Sequence, residues 1–234
     1  LKLPGGLLRP PYAAGEPLAR GGAPGDMSGE AAGRRYVFKL LCSDALVSAI
    51  LGANGRLKDQ WQAETGTHIV VSRPEEFFPG TRLRTLVVGG PSLASLVPVF
   101  ENFVATAARC GEQDNGEPVV RAVIPSKTAT AVIGPGGCNV QAFRRVTGAR
   151  IIIEKARFAA HQIMKVCGPP EGLRQALRAV NETLQMEAHS EWYAGWAAVR
   201  VFDKSDGQLL CQSWYERWAA EGGAAAGPVA SGPA

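Results

Sequence analysis

The nine residues ATAVIGPGG, at positions 129–137, decide the fold predicted for this 234-residue chain. Their last four residues, GPGG, form a turn motif that occurs again as GANG at positions 52–55. A shift of 82 residues superimposes the two motifs, and it aligns the flanking sequence without a gap, including IVV at 69–71 with III at 151–153. Similarity at one fixed spacing predicts two copies of a single supersecondary unit.

Each copy is predicted to run β-α-α-β-β-α. A β-rich run (36–42 and 119–124) precedes a short helix that ends at the first glycine of the turn motif. The second helix has the large apolar residues Leu57, Trp61, Val140, Phe143 and Val146, and it is capped by Gly66 or Gly148. Two strands and an amphipathic helix follow, the helix carrying Leu93, Leu96, Val97, Phe100 and Val104 or Leu173, Leu177, Val180 and Leu184 on one face.

Composition outside the copies predicts the domain boundaries. Residues 1–34 are rich in Gly and Pro and lack apolar periodicity, so they are predicted to be disordered, as is a flexible tail at 221–234. The copies occupy 35–110 and 118–188. Between them lies a short acidic linker, 111–117, and after them a Trp-rich extension, 189–220, which is predicted either to pack on the second copy or to bind another protein.

Charge is concentrated in the second copy. Residues 118–187 contain ten Lys or Arg against four Asp or Glu, whereas residues 35–109 contain eight against six. A polyanionic partner is therefore expected at the second copy. No run of 18 apolar residues or secretory signal is present, and the five cysteines are isolated, which favours an intracellular protein with reduced thiols and no membrane association.

The residues quoted above, together with VIPS at 123–126, TGARIII at 147–153 and FFPGT at 77–81, resemble the type I KH domains of the Nova and poly(C)-binding protein families. This resemblance implies an α+β fold of two KH domains, each with a three-stranded antiparallel sheet packed on three helices. It also implies binding of about four unpaired nucleotides of single-stranded RNA, pyrimidine-rich sequences included, or of single-stranded DNA. Post-transcriptional control of mRNA in the nucleus or cytoplasm is the expected role.

The resemblance implies site residues of three kinds. Backbone contacts fall on the turn residues Gly52, Ala53, Asn54, Gly55, Gly134, Pro135, Gly136 and Gly137. Base contacts fall on Val47, Ser48, Leu51, Ile69 and Val71 in copy one, and on Ala129, Thr130, Ile133, Val140, Ile151 and Ile153 in copy two, for which core packing is the alternative. Arg150 and Arg84 match strand arginines that read base edges, and a purely solvated role is their alternative.

Two departures from the family pattern make the copies unequal. Neither turn contains the usual inner Lys or Arg, so Arg56 and Lys58 are expected to substitute in copy one, and Lys127, Arg144 or Arg145 in copy two. Lys58 also stands where copy two has the apolar Val140, which predicts weaker binding by copy one. A protein-interaction scaffold with degenerate KH domains is the alternative function.

Catalysis is not expected. The second turn lacks the Lys-Ser/Thr of a phosphate-binding P-loop and the third glycine of a dinucleotide-binding motif. Cys138 begins a helix, but none of the three histidines is placed by sequence to serve it as a base. No metal site and no cofactor are predicted.

Overall fold

The computed structural model describes residues 36–204 and 208–213. The first unit comprises β1 (Tyr36–Cys42), α1 (Asp44–Leu51), α2 (Arg56–Thr65), β2 (His68–Val71), β3 (Arg84–Gly90) and α3 (Val97–Arg109). The second unit comprises β4 (Gln113–Asp114), β5 (Glu117–Pro125), α4 (Ser126–Ile133), α5 (Cys138–Thr147), β6 (Arg150–Ile153), β7 (His161–Cys167) and α6 (Pro170–Gln185). The chain continues into α7 (Glu191–Ala198), β8 (Val199–Asp203) and β9 (Leu209–Ser213).

The repeat in the sequence has a structural counterpart. The two helices that flank the turn, and the strand that follows them, have the same lengths in both units. Each starts 82 residues later in the second unit than in the first: α1, for example, spans 44–51 and α4 spans 126–133. Gly66 and Gly148 end α2 and α5 in the left-handed conformation, as predicted. The order β-α-α-β-β-α is therefore present twice, and the second unit has the additional strand β4 at its start.

The two units share one antiparallel sheet rather than holding separate three-stranded sheets. The strand order is β2-β3-β1-β5-β7-β6, and the units join where β1 pairs with β5. The reason lies in β1, whose residues 37–42 are all buried. A strand that is buried throughout its length favours an interior position in a sheet, with partners on both sides.

The long helices cover one face of this sheet and contact each other across the two units. Phe38 of β1 meets Phe100 of α3 edge to face, with ring centroids 4.9 Å apart. The predicted apolar face of α6, from Leu173 to Leu184, is buried. Of the large apolar residues of α5, Phe143 is buried, whereas Val146 is 52% exposed and does not join the core.

Residues 111–117, expected to be a linker, instead contribute to a tight hairpin. Strand β4 pairs with the start of β5, and the turn between them contains Asn115 and Gly116 at φ values of 52° and 81°. Asn-Gly is the residue pair that a two-residue type I′ turn prefers. Strand pairing therefore fixes the connection between the units.

The opposite face of the sheet is covered by the C-terminal extension, α7 to β9. Tyr193 and Trp196 are buried, and the Tyr193 hydroxyl accepts a hydrogen bond from the Val37 N–H at 2.8 Å. Backbone hydrogen bonds between Phe77 and Asp203 join the β2–β3 loop to β8. The extension thus packs its aromatic residues on both units, whereas the packing interpretation of the sequence placed them on the second unit alone.

A buried lysine fastens the extension to the sheet. Lys39 is 1% exposed, and its Nζ donates to the carbonyl oxygens of Trp196 and Val199, near the C-terminal end of α7, and to Nε2 of His161 at 2.9 Å. His161 Nδ1 donates to the Ala159 carbonyl at 2.7 Å, which leaves Nε2 as the acceptor. Burial and the neighbouring Lys39 lower the pKa of His161 to about 3, so the imidazole is neutral at physiological pH.

Several predicted features fall outside the described residues. These are the disordered segment at 1–34, the tail at 221–234, and Trp214 and Trp218 of the Trp-rich extension. Within the described ranges, no helix has both the length and the apolar character needed to cross a membrane.

Candidate nucleic-acid interface

The two turn motifs have the same backbone conformation. In each, the first, third and fourth residues have positive φ: Gly52, Asn54 and Gly55 in one turn, and Gly134, Gly136 and Gly137 in the other. A Cβ added to Gly134 would lie 2.6 Å from the Asn139 side chain, so only glycine fits there. The inner residues that the sequence analysis found unusual fit this geometry, because Asn and Gly adopt left-handed conformations most readily.

The second turn presents the start of α5 to solvent. No side chain caps this helix at Gly137, and Pro135, Gly136 and Cys138 are exposed. The first N–H groups of a helix lack intrahelical partners and carry the positive end of the helix dipole. Pro135 cannot donate a hydrogen bond, so a phosphate near this turn would meet the N–H groups that follow it.

A groove of about 240 Å³ lies beside this turn. Three predicted residues of α4 form one side of it: buried Ala129, exposed Thr130 and Ile133, which is 38% exposed. Ile153 lies on the other side. Ile133 is one of the few large apolar side chains that remain exposed, and an apolar surface held open beside a backbone-binding turn suits the face of an unpaired base.

The other predicted residues of the second unit take different positions. Val140 is half-buried and packs against the core, and Ile151 is buried beneath the helices. Both residues therefore pack in or against the core, which was the alternative to base contact for them. Arg150 alternates with Ile151 and Ile153, so it lies on the face of the sheet away from the helices, where it pairs with Glu117 at 2.5 Å. That ion pair raises the pKa of Arg150, and its contact with bases stays a prediction that this placement does not favour.

Four groove residues were missed by the sequence analysis: Glu154, Lys155, Arg157 and Gln162. Gln162 occupies the position in the second unit that Arg84 occupies in the first. Gln162 pairs with Ile124 and Arg84 pairs with Cys42, and Cys42 and Ile124 are equivalent residues, 82 positions apart, in the first strands of the two units. Each donates to the carbonyl after its second strand, Arg84 to Ser72 and Gln162 to Glu154. The segment between these equivalent residues is four residues shorter in the second unit, which hides the equivalence in the sequence; strand register reveals it.

Ion pairs divide the ten basic residues of the second unit into two groups. Five are paired with acidic side chains: Arg121 with Glu112, Arg150 with Glu117, Lys165 with Asp114, and Arg174 and Arg178 with Glu101. The other five are exposed and have no ion pair with a described residue: Lys127, Arg144, Arg145, Lys155 and Arg157. Three of the neutralising carboxylates come from the connection between the units, which the sequence analysis treated only as acidic.

Two of the unpaired charges lie at the groove. Lys155 and Arg157 line it directly, together with the acidic Glu154. Lys127 stands one helical turn before Thr130 on α4. The positive charge available to a ligand in the groove is therefore that of Lys155 and Arg157.

The corresponding residues of the first unit are buried to a similar degree, except Leu51, which is half-buried where its counterpart Ile133 is exposed. Val47 and Ile69 are fully buried, Leu51 and Val71 are half-buried, and Ser48 is exposed.

Two cations of this unit have local partners. Lys58 is half-buried beside Asp59 at 3.7 Å, and Arg84 is held by the Ser72 carbonyl and by Asp44 at 3.4 Å. Ala53 and Asn54 of the turn, and Arg56 after it, are exposed. Weaker binding by this unit stays a prediction, which the surroundings of Lys58 and Arg84 favour.

Comparison with known proteins supports the assignment of the second unit. Residues 119–182 match the KH domain family. The chain is 26% identical to the RNA-binding protein Nova-2 of Homo sapiens over 176 residues, which cover 66% of this chain and 35% of Nova-2.

Two other relatives show the same partial coverage. The RNA-binding protein Pasilla of Drosophila melanogaster is 24% identical over 132 residues, 51% of this chain and 17% of Pasilla. The KH domain-containing protein HEN4 of Arabidopsis thaliana is 28% identical over 181 residues, 63% of this chain and 20% of HEN4. The chain therefore spans about a third or less of the length of these relatives. The predicted resemblance to KH-domain RNA-binding proteins is confirmed for the second unit: residues 119–182 match the KH domain family, and the chain is similar to KH-domain RNA-binding proteins such as Nova-2.

Proposed function

We propose that this protein binds single-stranded RNA in the groove of its second unit, without catalysis, and acts in post-transcriptional control of mRNA in the nucleus or cytoplasm. One observation carries the proposal: the uncapped N-terminus of α5 lies beside an open groove that has an apolar wall at Ile133 and two unpaired cations, Lys155 and Arg157. The names of Nova-2 and Pasilla, both RNA-binding proteins, support the choice of RNA.

Each part of this site suits one part of a nucleotide. The phosphate accepts hydrogen bonds from N–H groups at the start of α5, and the glycines let the backbone approach closely. Bases lie against Ala129 and Ile133, where they replace water on an apolar surface. Lys155 and Arg157 neutralise further phosphates or hydrogen-bond base edges. Because phosphate contacts release counterions, binding is expected to weaken with salt.

We further propose that the first unit is a second KH domain with a weaker RNA site. Its backbone turn is intact, but Lys58 and Arg84 have local partners, and Lys58 replaces the apolar Val140. The second strands, β2 and β6, lie at opposite edges of a sheet of six strands in series. At about 4.8 Å per strand, an RNA that engages both units must span at least roughly 24 Å.

The test is fluorescence anisotropy with an RNA selected from a random pool on the wild-type protein. Gly137→Asp places a carboxylate at the fourth turn position of the second unit, and Gly55→Asp does so at the corresponding position of the first. We expect Gly137→Asp to abolish most binding and Gly55→Asp to weaken it only modestly, with both variants retaining wild-type circular dichroism. Equal effects of the two variants would contradict the assignment to the second unit.

Two other results of the binding experiments would each support a different function. Tighter binding of single-stranded DNA of the same sequence would make DNA the ligand. If no nucleic acid binds at low salt, while a protein partner is retained after nuclease treatment and in Gly137→Asp, the scaffold function is correct instead. The described aromatic residues do not favour a scaffold, because Tyr193 and Trp196 are buried within the chain itself.

A further inference from the structure

A second cavity lies at the other end of α4 from the GPGG turn. It encloses about 290 Å³ between the start of α4, the β6–β7 turn and α7. Its lining is mainly apolar and includes two indole rings from the C-terminal extension, and its members are Pro125, Ser126, Lys127, Ala159, Ala160, His161, Trp192, Gly195, Trp196 and Val199. This volume is near the lower limit of typical small-ligand sites.

The cavity continues the groove of the KH domain. Ser126, Thr130 and Ile133 follow one another along one side of α4, and Ser126 lines the cavity whereas the other two line the groove. On the opposite side, Arg157 lines the groove and Ala159, two residues further on, lines the cavity. The same two elements therefore border both spaces, and a strand that lies in the groove is led directly to the cavity.

The chemistry of the cavity suits a nucleotide. Lys127 Nζ lies 5.3 Å from the centroid of the Trp192 ring, which places a cation with no described ion-pair partner beside an aromatic surface. The rest of the lining is mainly apolar. An apolar, aromatic wall beside a cation suits the face of a base and the phosphate attached to it.

We propose that this cavity is an additional nucleobase subsite, in which the base beyond the four-nucleotide groove packs against Trp192 and its phosphate approaches Lys127. The inference rests on the proposed RNA-binding function and extends it: the C-terminal extension lengthens the RNA site of the KH domain. An RNA longer than four nucleotides is then bound more tightly because of a contact that the KH domain alone does not supply.

Gly195 offers a way to fill the cavity without disturbing its walls. A Cβ at this position has no other atom within 4 Å, and the residue lies inside α7. Gly195→Leu therefore places a bulky side chain in the cavity, and Gly195→Ala is its matched control, since both replace glycine with a good helix former.

The experiment compares affinities for RNAs of four, five, six and seven nucleotides, extended in either direction from the tetranucleotide preferred by the wild-type protein. We expect extension in one direction to tighten binding by the wild type and by Gly195→Ala at least about fivefold, the ratio that corresponds to about 1 kcal/mol of base stacking. Gly195→Leu should lose this gain and keep wild-type affinity for the tetranucleotide. Lys127→Gln should reduce the salt dependence of binding to the longer RNA only.

The outcomes separate this inference from the function on which it rests. If no RNA of any length binds, the proposed function fails. If the tetranucleotide binds but extension brings no gain, or an equal gain in Gly195→Leu and Gly195→Ala, the subsite is refuted and the RNA-binding groove stands. Photo-crosslinking from a 4-thiouridine at the added position to Trp192 or Lys127 gives an independent readout, and crosslinks confined to other elements would also overturn the subsite.

Discussion

Neutralising Lys155 and Arg157 should weaken RNA binding far more than removing two cations elsewhere in the same domain. Both residues are exposed, line the groove and have no described ion-pair partner. The variant is Lys155→Gln combined with Arg157→Gln. Glutamine keeps a polar side chain of moderate length, so the change is chiefly one of charge.

The expected magnitude follows from counterion release. Each phosphate neutralised on a single strand contributes about −0.7 to the slope of log K against log salt, which amounts to roughly fivefold in affinity at 0.1 M relative to 1 M salt. Two contacts predict a loss of roughly 25-fold at 0.1 M and a slope less steep by about 1.4. If all five unpaired cations of the domain contact phosphates, the wild-type slope is about −3.5.

The matched control is Arg174→Gln combined with Arg178→Gln. It removes the same net charge from the same domain, but both arginines pair with Glu101 of α3 and line neither the groove nor the adjoining cavity. Anisotropy titrations at salt concentrations between 0.05 and 0.3 M, roughly the range in which the effect is measurable, give the slopes. Equal changes of slope in the two double variants would refute the claim that Lys155 and Arg157 supply the positive charge available to a ligand in the groove.

Three further predictions concern stability. The pKa of His161 is about 3 in the folded protein and about 6.5 in the unfolded chain, so between these pH values the unfolded chain binds more protons; the free energy of unfolding should therefore fall by up to about 1.4 kcal/mol per pH unit below 6.5. Urea denaturation at several pH values should show a weaker pH dependence of this free energy for His161→Gln than for wild type, and equal pH dependences would contradict the assignment. Ala159 and Ala160 form a two-residue turn at φ values of 45° and 64°, so replacing them with Asn-Gly should raise the free energy of unfolding by about 1 to 2 kcal/mol, and a decrease would show that the turn is not strained. Gly134→Ala should cost about 2 to 4 kcal/mol, because its Cβ would collide with Asn139 and its φ is positive, whereas Gly136→Ala, with open space around it, should cost about 1 kcal/mol; similar costs would argue against the turn geometry.

The repeat could be predicted from sequence because local rules produce it. Glycine caps, short apolar strands and the spacing of the turn motifs act over a few residues, so the helices that flank each turn were predicted closely. The pairing of β1 with β5 could not be, since it depends on two separate strands meeting, although the almost continuous apolar run of β1 is consistent with it.

The candidate site was predictable only in part, for a related reason. Thr130 and Ile133 lie on the helix that immediately precedes the turn motif, so their positions relative to it are local. Lys155 and Arg157 reach the groove from a loop whose length differs between the units, and the neutralisation of Arg150 depends on Glu117 across a strand. Lys39 lies in an otherwise mainly apolar strand, and only the packed extension reveals its partners.

The central claim, that RNA lies in the groove of the second unit, is tested most directly by mapping amide chemical shifts during titration with the selected RNA. The account predicts that the largest changes fall on residues 129–139 and 153–157, with smaller changes near the first turn at 52–55. Changes confined to the first unit or to strands β8 and β9, or no saturable change at low salt, would contradict it.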